Sequence, residues 1–347
     1  MAPPQKTVSD ATQANPLSPD RMRPVGRYAA VAITGDYQGY PELYAFIERM
    51  VQQHGFEKNY LYGVFSEAKR KQWTLDYMKK DAPGGAPAPG GWTRYRGRFL
   101  DDIHIGKGVR FWQEHATALQ RASSRYGVPA EYIVGIMGVE TLYGGNFGNH
   151  RILDALTTLA FDGPRRRPYF TEELEKYLLM TRGEGMDPLQ PKGSFAGAMG
   201  LGQFMPGSFL TWAVDFDGDG RRDLWQPDDA IGSIANYFAA HGWQPGQAVT
   251  VAARPSARLA QNLEFGFDTH YTLAQLAAQG ITPASSGLPA QNQYSLLRLR
   301  ASHQDEYWLG LTNFYVITRY NNSTYYAMAV HQLAQAVKSR ACELGSC

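Results

Sequence analysis

Apolar residues recur at helical spacing along most of the chain and alternate only in its later part. After Pro41, residues Leu43, Phe46, Ile47, Met50 and Val51 line one side of a helix, and Gly55 supplies a stop. WTRYRGRF (residues 92–99) leads into a predicted helix with Val109, Trp112, Leu119 and Tyr126 on one face, ended by Gly127. Ile133, Val134, Ile136, Met137, Val139 and Leu142 fall on nearly every side of the next wheel, as in a helix buried in an interior. Pro129 suits its first turn, and Gly144 with Gly145 suits a left-handed cap. Thr171 is a good N-cap for a helix through Leu174, Tyr177 and Leu178; residues 228–238 give another, and a last one runs from Ser323 through Val330, Leu333 and Val337. From Gln247 the period changes. AVTVAAR, LLRLRA and NFYVITRY alternate β-branched and aromatic residues between Gly, Pro and Ser turns, and predict strands. Residues 1–26, rich in Pro, Ser, Gln and Asp, have no period and are expected not to fold, while DAPGGAPAPGG (81–91) predicts a flexible connection.

The 347 residues suffice for two or three packed units, and 44% apolar content with 13% aromatics marks a globular chain. A net charge of +2 implies no strong attraction to nucleic acid. The 21 Tyr and 7 Trp are suited to stacking on sugar faces, although most such rings belong to cores. No apolar run approaches the ~20 residues that span a bilayer. The first residues have neither the order of a signal peptide nor a cysteine to carry lipid, so a targeting segment was either removed or never there. Cys342 and Cys347 say little about compartment.

Glu140 is the unusual residue on the buried helix. Glutamate is almost never fully buried alone, and apolar surroundings disfavour its charged form. A proton kept near neutral pH is what a general acid needs. The other reading is a glutamate emerging at the helix end, satisfied by an Arg or a hydroxyl; this stretch leaves both open. GSFAGAMGLGQFMPGSF (193–209) spaces its glycines too irregularly for a phosphate loop, and suggests a backbone that must come close to something. In FDGPRRRPYF (161–170), Arg165, Arg166 and Arg167 read first as a solvated surface. Asp215, Asp217 and Asp219 occupy positions 1, 3 and 5 of an EF-hand-like loop, with Gly220 at 6. Carboxylates so close repel one another without a cation, which points to Ca²⁺; His and Cys ligands for redox or hydrolytic chemistry are missing from the loop. Position 12 is Gln226 where the motif wants Glu, and Asp228 or Asp229 could reach back.

WTRYRGRF, VPAEYIVGIMGVETLYG, RRRPYFTEELEKYLLM, KGSFAGAMGLGQFMPGSF, AVDFDGDGRRDLWQPDDAIGSIANYF and YWLGLTNFYVITRYNNSTYYAMAV together resemble the membrane-bound lytic transglycosylase B family of bacterial peptidoglycan-cleaving enzymes, over residues 30–338. The resemblance implies an α+β, mainly helical fold: a lysozyme-like catalytic core, an additional helical domain, a small β-rich domain and an EF-hand-like calcium loop. The expected boundaries are a helical domain at 27–94 joined by 164–190, the core at 95–246 with its loop at 215–229, the β-rich domain at 247–302, and a return to the core at 303–347. By position, Glu140 resembles the family's only catalytic acid/base. Ser194, Gln203, Tyr237, Tyr320 and Asn321 match residues lining the cleft, and Tyr95 and Arg166 match places where the glycan is held. The family's loop is longer than the usual EF-hand loop, which makes Asp229 the closing ligand. The implied metal set is then Asp215, Asp217, Asp219, Arg221 and Asp229, with Ca²⁺ as a structural clamp and no organic cofactor.

Hydrolysing glycosidases generally use two carboxylates. Asp154 and Asp162 lie near Glu140 in the sequence, but the resemblance gives neither a catalytic role. It implies one acid/base, cleavage between N-acetylmuramic acid and N-acetylglucosamine, and a 1,6-anhydro product formed without water. The expected setting is the periplasm, with glycan strands as substrate, cell-wall synthases as candidate partners, no nucleic acid, and outer-membrane attachment only if the protein is lipidated. One rival is a lysozyme-type muramidase. Another is a non-catalytic cell-wall binding scaffold, against which the retained acid argues.

Overall fold

The structure is a computed structural model and describes residues 28–80, 88–257 and 263–346. The expectations for residues 1–26 and for most of 81–91 fall outside these. Contacts divide the chain into two units, one of residues 1–75 with 151–191 and one of residues 76–150 with 192–347.

The first unit is helical. Its Pro41–His54 helix buries Leu43, Phe46, Ile47 and Met50, and Gly55 ends it at φ 64°, donating its N–H to the Met50 and Val51 carbonyls. Phe46 packs edge-on against Phe65 and Phe161, and Tyr37 against Phe161, so two distant pieces of chain share one core. The returning piece begins at 151 rather than 164, because the Ile152–Phe161 helix, buried along its whole length, packs on the Arg167–Gly183 helix. That second helix starts at Arg167 and not at Thr171. Arg166, at φ 57°, is its N-cap, and the Thr171 hydroxyl sits inside, donating to the Arg167 carbonyl at 2.9 Å. Asp154 is 2% exposed and pairs with Arg151 at 2.6 Å and Lys71 at 3.0 Å; Asp162 pairs with Arg70 at 3.0 Å.

The second unit begins at residue 76, so the 76–94 stretch belongs to it. The single helix expected up to Gly127 is two, Asp102–Glu114 and Ala116–Tyr126, broken at His115 with φ −116° and ψ 24°. Asp101 caps the first by accepting the His104 N–H, a start signal inside what reads as one run. At the centre lies the Ala130–Thr141 helix, buried from Glu131 through Gly138 and packed against Asp102–Glu114, Ala116–Tyr126, Pro227–Ala240 and Thr324–Glu343. Its end departs from expectation. Leu142 and Tyr143, at φ 51° and 58°, take the first left-handed positions ahead of Gly144, and their N–H groups reach the Gly138 and Met137 carbonyls at 3.1 Å each.

An antiparallel sheet runs in the order Ile281–Pro283, Thr250–Pro255, Glu306–Gly310, Ser295–Leu299. Val251, Leu309 and Leu296 stand in register across it, and Ala253, Leu276, Ile281, Tyr294, Leu296 and Leu309 form its core. AVTVAAR and LLRLRA are strands, as expected. NFYVITRY is instead the Thr312–Tyr320 helix, with Phe314, Val316 and Ile317 buried. Asn313 pins its start: its side chain accepts the Gln244 N–H at 2.7 Å and donates to the Gln244 and Gln247 carbonyls at 2.9 Å each. The sheet takes Glu306–Gly310 in its place and so extends beyond residue 302. The Thr324–Glu343 helix follows Ser323, carries Cys342, and ends short of Cys347, which lies outside the described residues. Among the described residues no helix is long and apolar enough to cross a membrane.

Candidate active site

Glu140 occupies the last turn of the Ala130–Thr141 helix, half-buried, and its Oε1 accepts the Tyr326 hydroxyl at 2.5 Å. Tyr326 is 3% exposed, in the first turn of the Thr324–Glu343 helix. Burial raises the Glu140 carboxyl to about 7, while the Tyr326 hydrogen bond works against that rise by favouring the carboxylate. Neither cause is a charged neighbour. The two readings open in the sequence thus meet here: the carboxylate emerges at a helix end onto a hydroxyl, and is still shut in enough to keep a proton near neutrality.

The glycine-rich segment closes against the end of this helix. The Thr141 hydroxyl bonds the Leu201 carbonyl at 3.1 Å. A Cβ on Gly148 would lie 2.3 Å from the Gly193 carbonyl oxygen, and one on Gly202 would lie 2.8 Å from the Tyr320 hydroxyl. Tyr320 donates that hydroxyl to the Gly202 carbonyl at 2.5 Å. Inside the segment the Ser194 Oγ accepts the Ala198 and Ala196 N–H groups at 2.9 and 3.3 Å. Gln203, left-handed at φ 50°, donates its Nε2 to the Gly200 and Phe147 carbonyls at 2.9 and 3.3 Å. The Ser194 hydroxyl proton and the Gln203 Oε1 are left without protein partners among the described residues.

Tyr237 donates to the Arg319 carbonyl at 2.6 Å, and its ring stacks on His241 at 3.9 Å and meets Tyr320 edge-on at 4.9 Å. Burial pushes Tyr237 up to about 12 and Tyr320 well above the usual phenol range; Glu140 adds to the second. Both hydroxyls are engaged on carbonyls, and Tyr237 is buried while Tyr320 is half-buried. Tyr95, half-buried on the Gly91–Arg96 helix, is pushed up to about 12 by burial and then by the charge of Glu140. Asn321 is exposed and follows Tyr320 directly. Arg166 belongs to the first unit, with its guanidinium over Tyr169 at 4.1 Å. Sequence reasoning missed Tyr326. It lies 186 residues from Glu140, and its one local signal is a place in the first turn after the Ser323 cap.

In the acidic loop, ligand oxygens of Asp215, Asp217 and Asp229 all lie within 4.8 Å of one another. Asp229 is 1% exposed and accepts the N–H groups of Phe216 at 2.6 Å and Asp223 at 2.7 Å. Gln226 is the N-cap of the Pro227–Ala240 helix, and Asp228 pairs with Arg121 at 3.3 Å, which leaves Asp229 to face the loop. The Asp219 Oδ1 accepts the Arg221 N–H at 2.7 Å, outside that cluster. Converging carboxylates with all-oxygen donors fit a hard cation such as Ca²⁺.

The family profile described as Transglycosylase SLT domain matches residues 39–335. The chain belongs to this family. Membrane-bound lytic murein transglycosylase B of Escherichia coli (strain K12) is 49% identical over 339 residues, covering 96% of this SLT transglycosylase and 92% of its relative. The Escherichia coli lytic transglycosylase SLT35, solved in complex with calcium, is 51% identical with a TM-score of 0.84, over 90% of this chain and 97% of that one. SltB3 of Pseudomonas aeruginosa, solved in complex with NAG-anhNAM-pentapeptide, is 31% identical with a TM-score of 0.76, over 87% of this chain and 80% of that one. The mainly helical body with small sheets is the SLT-type fold.

Proposed function

We propose that this SLT transglycosylase cleaves peptidoglycan without water, with Glu140 as its single acid/base. One observation carries this reading: a carboxylate raised to about 7 by burial, held by Tyr326, with no second carboxylate among the described residues acting on it. Protonated Glu140 donates to the glycosidic oxygen between N-acetylmuramic acid and N-acetylglucosamine, and the bond to C1 breaks. The substrate's own N-acetyl group stabilises C1 in place of an enzyme nucleophile. The Tyr326 hydroxyl steadies the carboxylate left behind, which then takes the proton from the C6 hydroxyl as O6 attacks C1 and closes the 1,6-anhydro ring. Glu140 gives one proton and regains one, so the cycle balances.

General acid/base action is worth ~10²–10⁴ in rate, so positioning must supply the rest. The Ser194 proton, the Gln203 Oε1 and the Asn321 amide offer donors and acceptors to sugar hydroxyls, while Tyr95, Tyr237 and Tyr320 offer rings. Arg166 would hold glycan through its charge. A hydrolase generally uses a second carboxylate, and Asp154 and Asp162 are engaged in ion pairs within the first unit. A binding scaffold has no use for a desolvated acid.

Asp215, Asp217, Asp219 and Asp229, with Arg221, would hold Ca²⁺ as a clamp between the acidic loop and the Pro227–Ala240 helix. The convergence of three of these carboxylates and the calcium complex of SLT35 support it. The cation would remove their mutual repulsion and take no part in the reaction. The setting that fits is the periplasm, on glycan strands and with cell-wall synthases as partners, attached to the outer membrane only if lipidated. The reading is tested by digesting sacculi in ¹⁸O-labelled water and analysing the muropeptides by mass spectrometry. Unlabelled 1,6-anhydromuramyl ends are expected; ¹⁸O at a reducing end as the main product overturns it.

A further inference from the structure

Immediately beyond Glu140 the chain takes a costly path. Leu142 and Tyr143 both carry a Cβ, yet both hold left-handed backbone, at φ 51° and 58°. That path folds Tyr143 back beneath its own helix. Its hydroxyl reaches a place where two neighbouring helices each have glycine. A Cβ on Gly138 of the Ala130–Thr141 helix would lie 2.5 Å from that oxygen, and one on Gly108 of the Asp102–Glu114 helix would lie 2.4 Å from it. The third wall is the Thr324–Glu343 helix: a Cβ on Gly138 would meet Leu333 at 2.7 Å, and one on Gly108 would meet Val337 at 2.6 Å. The Phe111 ring closes the side, its centre 5.8 Å from that of Tyr143.

Three helices therefore meet around one ring, in a slot that any side chain at Gly108 or Gly138 would fill. The hydroxyl inside it is buried and has no protein hydrogen-bond partner among the described residues, so no protein hydrogen bond accounts for this residue. Its shape does: the ring and its oxygen fill the slot to the end. Two of the three helices carry the halves of the acid site. Gly138 lies two residues before Glu140, and Leu333 and Val337 lie on the helix whose first turn carries Tyr326.

We propose that Tyr143 is a positioning residue for the acid: wedged among these helices, its ring sets where Glu140 stands against the Tyr326 hydroxyl. The proposal rests on Glu140 being the acid. Without the wedge the Ala130–Thr141 helix loses the contact beneath its last turn, and the short bond to Tyr326 loosens.

The test compares Tyr143→Ala and Tyr143→Phe with the parent and with Glu140→Gln, on sacculi across a range of pH. Tyr143→Ala should lower kcat about tenfold or more with KM changed less than about twofold, since small misplacements are costly in turnover. It should also move the basic limb of the pH profile upward, because a weaker Tyr326 bond favours the carboxylate less. Tyr143→Phe keeps the ring and should keep the parent's rate and pH limb. Should Tyr143→Ala not fold, Tyr143→Leu fills part of the slot and is read the same way. An altered melting temperature with kcat and pH limb unchanged overturns the proposal, and so does a Tyr143→Phe variant as impaired as Tyr143→Ala. If Glu140→Gln keeps the parent's rate, the assignment of the acid has failed; if Glu140→Gln is inactive while Tyr143→Ala is not impaired, only the wedge has.

Discussion

In the proposed cycle one carboxyl group both gives a proton and takes one back, which works best with an affinity near the working pH, and at Glu140 two opposed causes set it there. Burial raises it to about 7, and the Tyr326 hydroxyl restrains the rise. Glu140→Gln should therefore keep its fold and lose ~10²-fold or more in muropeptide release. The pH profile of the parent should fall as pH rises through about 7, where the acid ionises. Tyr326→Phe should move that fall to higher pH, since it removes the donor that favours the charged form. Stability carries the same signature. Folded Glu140 holds its proton up to about 7 and the unfolded group only to about 4.5, so stability falls as pH rises between them. At about pH 8, Glu140→Gln should melt higher than the parent, by a margin on the order of 1–3 kcal/mol, and at about pH 4 the two should agree. Glu140 was legible in the sequence because it interrupts an otherwise apolar helix. Tyr326 was not, because only the packing of two helices far apart in the chain brings its hydroxyl to that carboxylate.

Among elements, legibility followed local signals. The Pro41–His54 helix carries its own start and its own stop, so its sequence alone predicts it. The β-branched and aromatic residues of NFYVITRY predict a strand, yet the amide of Asn313 fixes a helix start that no spacing reveals. Thr171 was a plausible cap but lies one turn inside, because Pro168 already suits the first turn of that helix. The acidic loop is the opposite case: its spacing gives away Asp215, Asp217 and Asp219 and leaves Gln226, Asp228 and Asp229 open, the family resemblance names Asp229, and the fold brings the Asp229 carboxylate to those of Asp215 and Asp217. Ca²⁺ in hundredfold excess over its Kd should stabilise the protein by about 2.7 kcal/mol, seen as a rise in Tm that chelator reverses. Asp229→Ala should abolish that rise, while turnover by the folded parent should depend on Ca²⁺ only weakly. Activity that vanishes on chelation without unfolding would contradict a clamp.

At the scale of the whole molecule, Asp154 and Asp162 lie in the first unit and Glu140 in the second. Asp154 is buried between Arg151 and Lys71 in the first unit, and breaking such a buried pair typically costs ~3–5 kcal/mol. Asp154→Asn should thus lower Tm steeply while leaving kcat per folded molecule unchanged; loss of turnover without loss of stability would reopen the hydrolase reading. The units themselves are interleaved, since residues 1–75 wait for 151–191 and residues 76–150 wait for 192–347. Chain made in order on a ribosome therefore completes neither unit in its first 150 residues, and closing such long loops slows assembly. Glu140 emerges early but meets its hydroxyl only once residue 326 has been made. A nascent chain of this protein is accordingly an unarmed one: the acid acquires its working environment among the last events of synthesis, not the first.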